Sequence, residues 1–323
     1  MAAERSSGER PGELPVGGVT PRVAAVIDVG SNSVLLLVVA VEPDGRVRAL
    51  DEALATTRLG AGLAPGGMLD ASARARTLAA VVDFTTRARR AGATRTWAFA
   101  TGAARDAADG AAFAATVASA AGIAVDILSG EEEARLAYAG VRGELALDDG
   151  PLLVADIGGR TTDLTLGRGD AILGTASVAL GALALHEAHG ADLGAVAASV
   201  DRVLARTALV AEARSVGASL VASGGTATAL AALDLGLRRY DPRRVHGHTL
   251  VATTLAALPA TDAPGLDPGR AAILPAGAVV LARLAAAASA SVVTVSDRAV
   301  RHGHLRAALV AEGVDADFRA LWG

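Results

Sequence analysis

The chain of 323 residues is long enough for two ordinary domains, and with 52% hydrophobic but only 2% aromatic residues its core must be packed from Ala, Val and Leu. A formal net charge of −4 gives no basic field of the kind that non-specific nucleic-acid binding needs, so nucleic acid is excluded as an expected partner. The absence of cysteine rules out disulfides and thiolate zinc sites, leaves catalysis to oxygen and nitrogen groups, and fits a cytoplasmic setting.

The first twenty residues are polar and rich in Gly and Pro, and read as a disordered leader without the apolar centre of a secretory signal. From Arg22 to Ala40, branched apolar residues flank Gly30-Ser31-Asn32 and predict a hairpin, with a third strand over 46–57. Helical spacing over 71–91 closes at Gly92 as a C-cap. A strand over 94–100, a helix over 109–121 and a strand over 124–128 follow. After Ser129-Gly130 a helix begins with three carboxylates at its positive end.

Strands over 152–156, 162–166 and 171–178 then repeat the opening strand-turn-strand plan. A helix over 192–213 starts at an N-cap, Asp192; a strand over 218–222 turns directly into the helix of SGGTATALAAL. The remainder reads mostly as helix, with the strand SVVTVS and a last helix from about Ala299. The long apolar stretch from residue 271 is broken by Pro275 and Arg283, so it reads as a buried helix and no membrane span is expected. Sheets covered by helices are the natural architecture for this pattern.

Two phrases carry the chemistry: DVGSNSVLL from residue 28 and DIGGRTTDL from residue 156. Each places an Asp at the end of a buried strand, then glycine, whose missing side chain lets an anion reach the backbone N–H groups, then a hydroxyl donor. Either copy alone reads more readily as an ordinary hairpin turn with Asp as a local cap. Repetition with the same flanks points instead to two phosphate turns facing one another. The triple Glu of SGEEEAR can be read as simple compensation of the helix dipole, and Arg105 as a surface partner of Asp106. Histidines 186, 189, 246, 248, 302 and 304 include two HGH pairs, but no third ligand accompanies either pair, and a histidine metal site is not expected.

The duplication resembles the superfamily of acetate and sugar kinases, heat-shock chaperones and actin. More closely, AVIDVGSNSVLLLVV, RLGAGL, FATGAARDA, GIAVDILSGEEEARLAYAGV, LLVADIGGRTTDL, ASGGTATALAAL, VHGHTL, RAAILPAGAVVL and VSDRAVRHGHL occur in the order found in the exopolyphosphatase and guanosine pentaphosphate phosphohydrolase (Ppx/GppA) family, short two-domain type. That resemblance implies an α/β, two-domain actin-like ATPase (ribonuclease H-like) fold, with duplicated domains around an interdomain cleft. It implies a first domain over 21–128, a second over 129–304, and a C-terminal helix over about 305–323 packing back on the first.

It further implies hydrolysis of a terminal phosphate with Mg2+ (or Mn2+). Glu133 is the expected catalytic base, and Asp163 stands where the family has a second catalytic carboxylate. Asp28 and Asp156 are the expected metal or water ligands. The phosphate-binding set is Gly30, Ser31, Asn32, Ser33, Arg105, Gly158, Gly159, Arg160, Thr161, Gly224, Gly225 and Thr226. The implied substrate is polyphosphate, or guanosine tetra- or pentaphosphate; a homodimer is allowed and not demanded.

The second hairpin departs from the family's D-I-G-G-G-S-T-E: Arg160 replaces a glycine, Thr161 a serine and Asp163 a glutamate. Asp for Glu withdraws the carboxylate by roughly 1.5 Å, and misplacement near 1 Å can cost about a hundredfold in rate. If position 160 needs φ > 0, arginine there is strained by about 1 kcal/mol. The side chain then either grips phosphate from within the cleft or blocks it, and blocking would leave a weakly active or non-catalytic polyphosphate- or alarmone-binding protein.

Overall fold

The structure, a computed structural model, describes residues 21–64, 66–143, 145, 147–257, 268–318 and 321. The leader expected over 1–20 lies outside them.

Two mixed sheets form the framework. In the first, β1 (Arg22–Val29), β2 (Ser33–Val41) and β3 (Val47–Thr56) make an antiparallel meander. Helix α1 (Ala71–Arg90) leads to β4 (Arg95–Ala100), and the short α2 (Gly102–Asp106) and α3 (Gly110–Ala121) lead to β5 (Asp126–Ile127). Strands β4 and β5 extend the sheet in parallel with β1, giving the order β3-β2-β1-β4-β5. The Asp70 carboxylate caps α1 by accepting from the Ala73 N–H, and Gly92, at φ +89°, ends it in the left-handed region that glycine adopts without penalty.

The second half opens with α4 (Gly130–Arg142), then β6 (Pro151–Ile157), β7 (Thr162–Arg168) and β8 (Ala171–Val178). Helices α5 (Ala182–His189), α6 (Leu193–Leu204) and α7 (Ala208–Ser215) precede β9 (Ser219–Ser223) and α8 (Gly224–Asp234). After α9 (Pro242–Val245) come β10 (Thr249–Val251), α10 (Pro268–Ala287), β11 (Val292–Val295) and α11 (Val300–Ala311). The sheet order is β10-β11-β9-β6-β7-β8, so its last five strands, read backwards, retrace the first sheet and β10 is an added antiparallel edge. The central strands β1 and β6 carry near-continuous buried runs because helices cover both faces, whereas the edge strands β3 and β8 are mostly half-buried or exposed.

Each sheet has its own core. Ile27, Leu36, Val81 and Phe84 lie in the first, and Leu153, Leu164, Leu230 and Val280 in the second. The other face of the first sheet is covered late in the chain: Val300, Leu305 and Leu309 of α11, with Phe318 and Leu321, pack on Ala24, Val26 and Leu37. Helix α11 also crosses α4 with glycine on both sides. A Cβ on Gly140 would lie 2.5 Å from the Ala299 carbonyl oxygen, and one on Gly303 1.9 Å from that of Leu136.

Three local expectations differ from the structure. The helix expected over 192–213 is two, α6 and α7, separated where Thr207 leaves helical geometry and turns its hydroxyl back onto the Val203 carbonyl. Short α2, α5 and β10 have too few turns or alternations to show a period in sequence. The last helix ends at Ala311, and Asp317 instead forms a bridge with Arg46 at the start of β3. Helix α10 alone among the described helices is long and apolar enough to span a membrane, and most of it is buried in the second core.

Candidate active site

The two hairpin turns close in the same way: the Gly30 N–H donates to the Ser33 carbonyl at 3.0 Å, and the Gly158 N–H to the Thr161 carbonyl at 2.9 Å. They meet across the cleft, where a Cβ on Gly159 would sit 3.3 Å from the Ser31 Cβ. The third glycine turn, at the start of α8, completes the floor. Gly224 has φ +82°, and a Cβ there would lie 2.4 Å from Asp156 Oδ1, so both backbone conformation and space demand glycine. Gly224→Ala is therefore expected to displace Asp156, lowering the melting temperature by several degrees and hydrolysis by about a hundredfold. Thermal unfolding and initial rates check this.

A cavity of about 140 Å³ lies between these turns. It is lined by Asp28, Gly30, Ser31, Asn32, Ser33, Glu133, Asp156, Gly158, Gly159, Arg160, Thr161, Gly224, Gly225 and Thr226, all expected from sequence. Two expected residues, Arg105 and Asp163, do not line it. Arg105 Nη1 donates to Glu133 Oε2 at 2.8 Å and to the Leu128 carbonyl at 3.1 Å, so its guanidinium seats Glu133 beside the cavity. It is not the partner of Asp106 that a surface reading allows.

Asp163 is buried behind the wall. It lies directly opposite Asp156 in the β6–β7 register, and opposed strand residues share a sheet face. Its Oδ2 accepts from the Thr161 hydroxyl at 3.2 Å, while Oδ1 is buried without a hydrogen-bond partner among the described residues. The shortened side chain thus supports the turn and charges the site from behind.

Electrostatics follow from that crowding. Burial, with repulsion from Asp163 and Asp156 and against the pull of Arg105, pushes the Glu133 carboxyl up to about 8. Asp156 is raised to about 7 by burial and by its neighbours Asp163 and Asp28. Asp28 is raised to about 7 by burial, opposed by Arg301. Asp163 is also raised, chiefly by burial. Glu133 Oε1 has no protein partner among the described residues, so one oxygen is held by Arg105 and the other is left for a proton.

Arg160 lines the cavity and also reaches beyond it. Its φ is not positive, so the glycine-to-arginine change carries no left-handed strain. Its guanidinium reaches the first lobe, donating to the Gly60 carbonyl at 3.1 Å and to Asp106 Oδ2 at 3.4 Å.

Sequence reasoning missed Thr101 and Gly102, at the start of α2, and Arg270 of α10. Ser31 Oγ accepts from the Ala103 N–H at 2.9 Å, which draws α2 onto the first turn. Arg270, which lies against Gly225, was legible as the one charge opening RAAILPAGAVVL. The six histidines form no metal cluster among the described residues. His302 is buried and held neutral, and His304 stacks on Phe99.

Two duplicated lobes of this strand order, meeting at glycine turns over a carboxylate-lined cleft, define a protein of the actin-like ATPase fold. Solved structures of the same architecture include a Ppx/GppA family member from Aquifex aeolicus, 24% identical, covering 90% of this chain and 99% of that one at a TM-score of 0.73. An exopolyphosphatase from Cytophaga hutchinsonii, 20% identical, covers 91% and 99% at a TM-score of 0.79. In sequence, the chain is 32% identical over 289 residues to Exopolyphosphatase 2 of Mycobacterium tuberculosis, spanning 82% of this chain and 90% of the relative. The model of the Ppx/GppA phosphatase family matches residues 38–312. The chain belongs to the Ppx/GppA phosphatase family and is a hydrolase.

Proposed function

We propose that the protein is an exopolyphosphatase, a phosphoric anhydride hydrolase that removes the terminal phosphate of inorganic polyphosphate with a divalent cation, Mg2+ or Mn2+. The observation that carries this reading is Glu133, which lines a small cavity ringed by three glycine turns while Arg105 holds its Oε2. The turn N–H groups, the Ser31 hydroxyl and the positive end of α8 suit the oxygens of one phosphoryl group. Glu133 Oε1 takes the proton of the attacking water, and Arg105 on Oε2 holds the carboxylate in place. Rate comes mainly from positioning and charge neutralisation, as in other phosphoryl transfers.

The residues present fit a magnesium-type ion. Asp28 and Asp156 are recessed carboxylates that repel each other and whose pKa values are raised, a donor pair suited to a hard cation whose remaining ligands are water and phosphate. No cluster of three acidic or histidine ligands occurs among the described residues, which matches a cation held by one or two carboxylates together with substrate. Such an ion supplies charge neutralisation on the transferring group.

One observation favours a second reading, guanosine pentaphosphate or tetraphosphate as substrate. Beyond Asp28 and Gly225 the cleft opens into a cavity of about 700 Å³ whose walls include Leu54, Leu233, Leu237 and Tyr240 beside Arg239 and Arg301. Polyphosphate has no apolar surface to place there, whereas a nucleoside has. Turnover of the two substrates side by side decides between them. At least a tenfold higher kcat/KM on polyphosphate is expected, and the reverse order overturns the first reading. Binding of both with no orthophosphate release would establish a non-catalytic binding protein instead.

A further inference from the structure

We propose that Arg160 is a positioning residue: from the second hairpin it clasps the first lobe through Gly60 and Asp106, holds the cleft closed and seats α2, so that Arg105 meets Glu133. Its activity arm rests on the hydrolase reading above.

The arginine is built into this place from both ends. On its own side, a Cβ at Gly181 would lie 2.2 Å from the Arg160 backbone, and the Ala182 and Ala184 N–H groups donate to the Gly158 and Gly159 carbonyls, each at 3.0 Å. The second turn is thereby fastened to α5 and its arginine is aimed. On the far side the stem packs so closely that a Cβ at Gly60 would meet Arg160 Cδ at 3.0 Å, and the side chain is only 12% exposed. The same loop of the first lobe is held a second time from α5, where Glu187 Oε1 accepts from the Gly62 N–H at 2.9 Å. Two contacts from one rigid unit, the turn and α5, thus grip one loop across the cleft.

The clasp also reaches the chemistry. Asp106 and Arg105 are consecutive residues of α2, a five-residue helix with no side-chain bond at its N-cap. So short a helix depends on tertiary contacts for its placement. Arg160 holds it by Asp106 while Arg105 extends to Glu133 and the Leu128 carbonyl. A glycine at 160 could make none of these side-chain contacts.

The chain has no cysteine, so paired spin labels can be placed without background. Ala75→Cys on α1 and Ala198→Cys on α6, both exposed, report lobe separation in the full-length protein by pulsed dipolar spectroscopy. A narrow distribution is expected with Arg160, and a broader, longer one in Arg160→Gly, in Arg160→Met, which keeps the apolar stem, and to a lesser degree in Asp106→Asn. Tripolyphosphate with Mg2+ should restore the short distance in the variants. Because closure then draws on binding, KM should rise about tenfold while kcat stays within about threefold. Distances unchanged in both Arg160 variants overturn the clasp, whatever happens to activity. A fall in kcat with unchanged distances would mark direct contact with phosphate instead. If the unsubstituted protein releases no orthophosphate, the exopolyphosphatase reading fails, and the distances alone decide the clasp.

Discussion

Glu133→Gln is expected to lower orthophosphate release from polyphosphate by about 10²- to 10⁴-fold, the usual range for loss of a positioned general base. The substitution keeps an oxygen to accept from Arg105 and keeps the capping box of α4, where Ser129 and Glu132 bond reciprocally, so the protein should remain folded. Unchanged turnover in this variant would remove Glu133 from the role. The unsubstituted protein supplies the sign of the pH dependence. The base works ionised, and its carboxyl is raised to about 8, so activity should climb as pH rises through about 8 and be largely lost at pH 6. Cation binding to Asp28 and Asp156 adds positive charge nearby and moves that midpoint downward. Initial rates between pH 6 and 9.5 at several Mg2+ concentrations test both statements.

Asp156→Asn should separate activity from stability. With one of the two proposed cation ligands gone, hydrolysis is expected to fall by at least about a hundredfold, while the metal-free protein becomes more stable at alkaline pH. The reasoning is linkage. Asp156 titrates at about 7 in the fold against an ordinary 3.8, so its contribution is intact below the ordinary value and is lost as pH rises through about 7. At pH 8.5 the folded state holds it ionised among Asp163 and Asp28. An amide removes that repulsion, a gain on the order of 2 kcal/mol. Thermal unfolding at pH 8.5 and pH 4 in chelator should show a higher midpoint for the variant at pH 8.5 and a much smaller difference at pH 4, because the loss accumulates from about 3.8 up to about 7. A lower midpoint at pH 8.5 would show that the carboxylate is not under electrostatic strain.

Much of the site was legible because it is local. The glycine turns at Gly30 and Gly158, the helix springing from Gly224, and the capped start of α4 that presents Glu133 are each specified within about ten residues. Asp28 and Asp156 come with them, as the penultimate residues of central strands β1 and β6. Arg270 was less visible because it enters from the start of α10, far along the chain, and no local pattern marks its direction.

By itself, then, the sequence determined the duplicated α/β plan, the family and most of the residues that ring the cavity, because strand runs, turn glycines and caps act over neighbouring positions. Only the tertiary structure decided where the long side chains go. Arg105 turns to Glu133 across 28 positions, and Arg160 passes the cavity to reach Asp106 and Gly60 across 54 and 100. Asp163 does not line the cavity, because β-sheet register sets it opposite Asp156 and its carboxylate bonds with Thr161. A flexible cation settles on whichever oxygens the opposite lobe brings within reach, and that choice exists only after the two lobes have packed together.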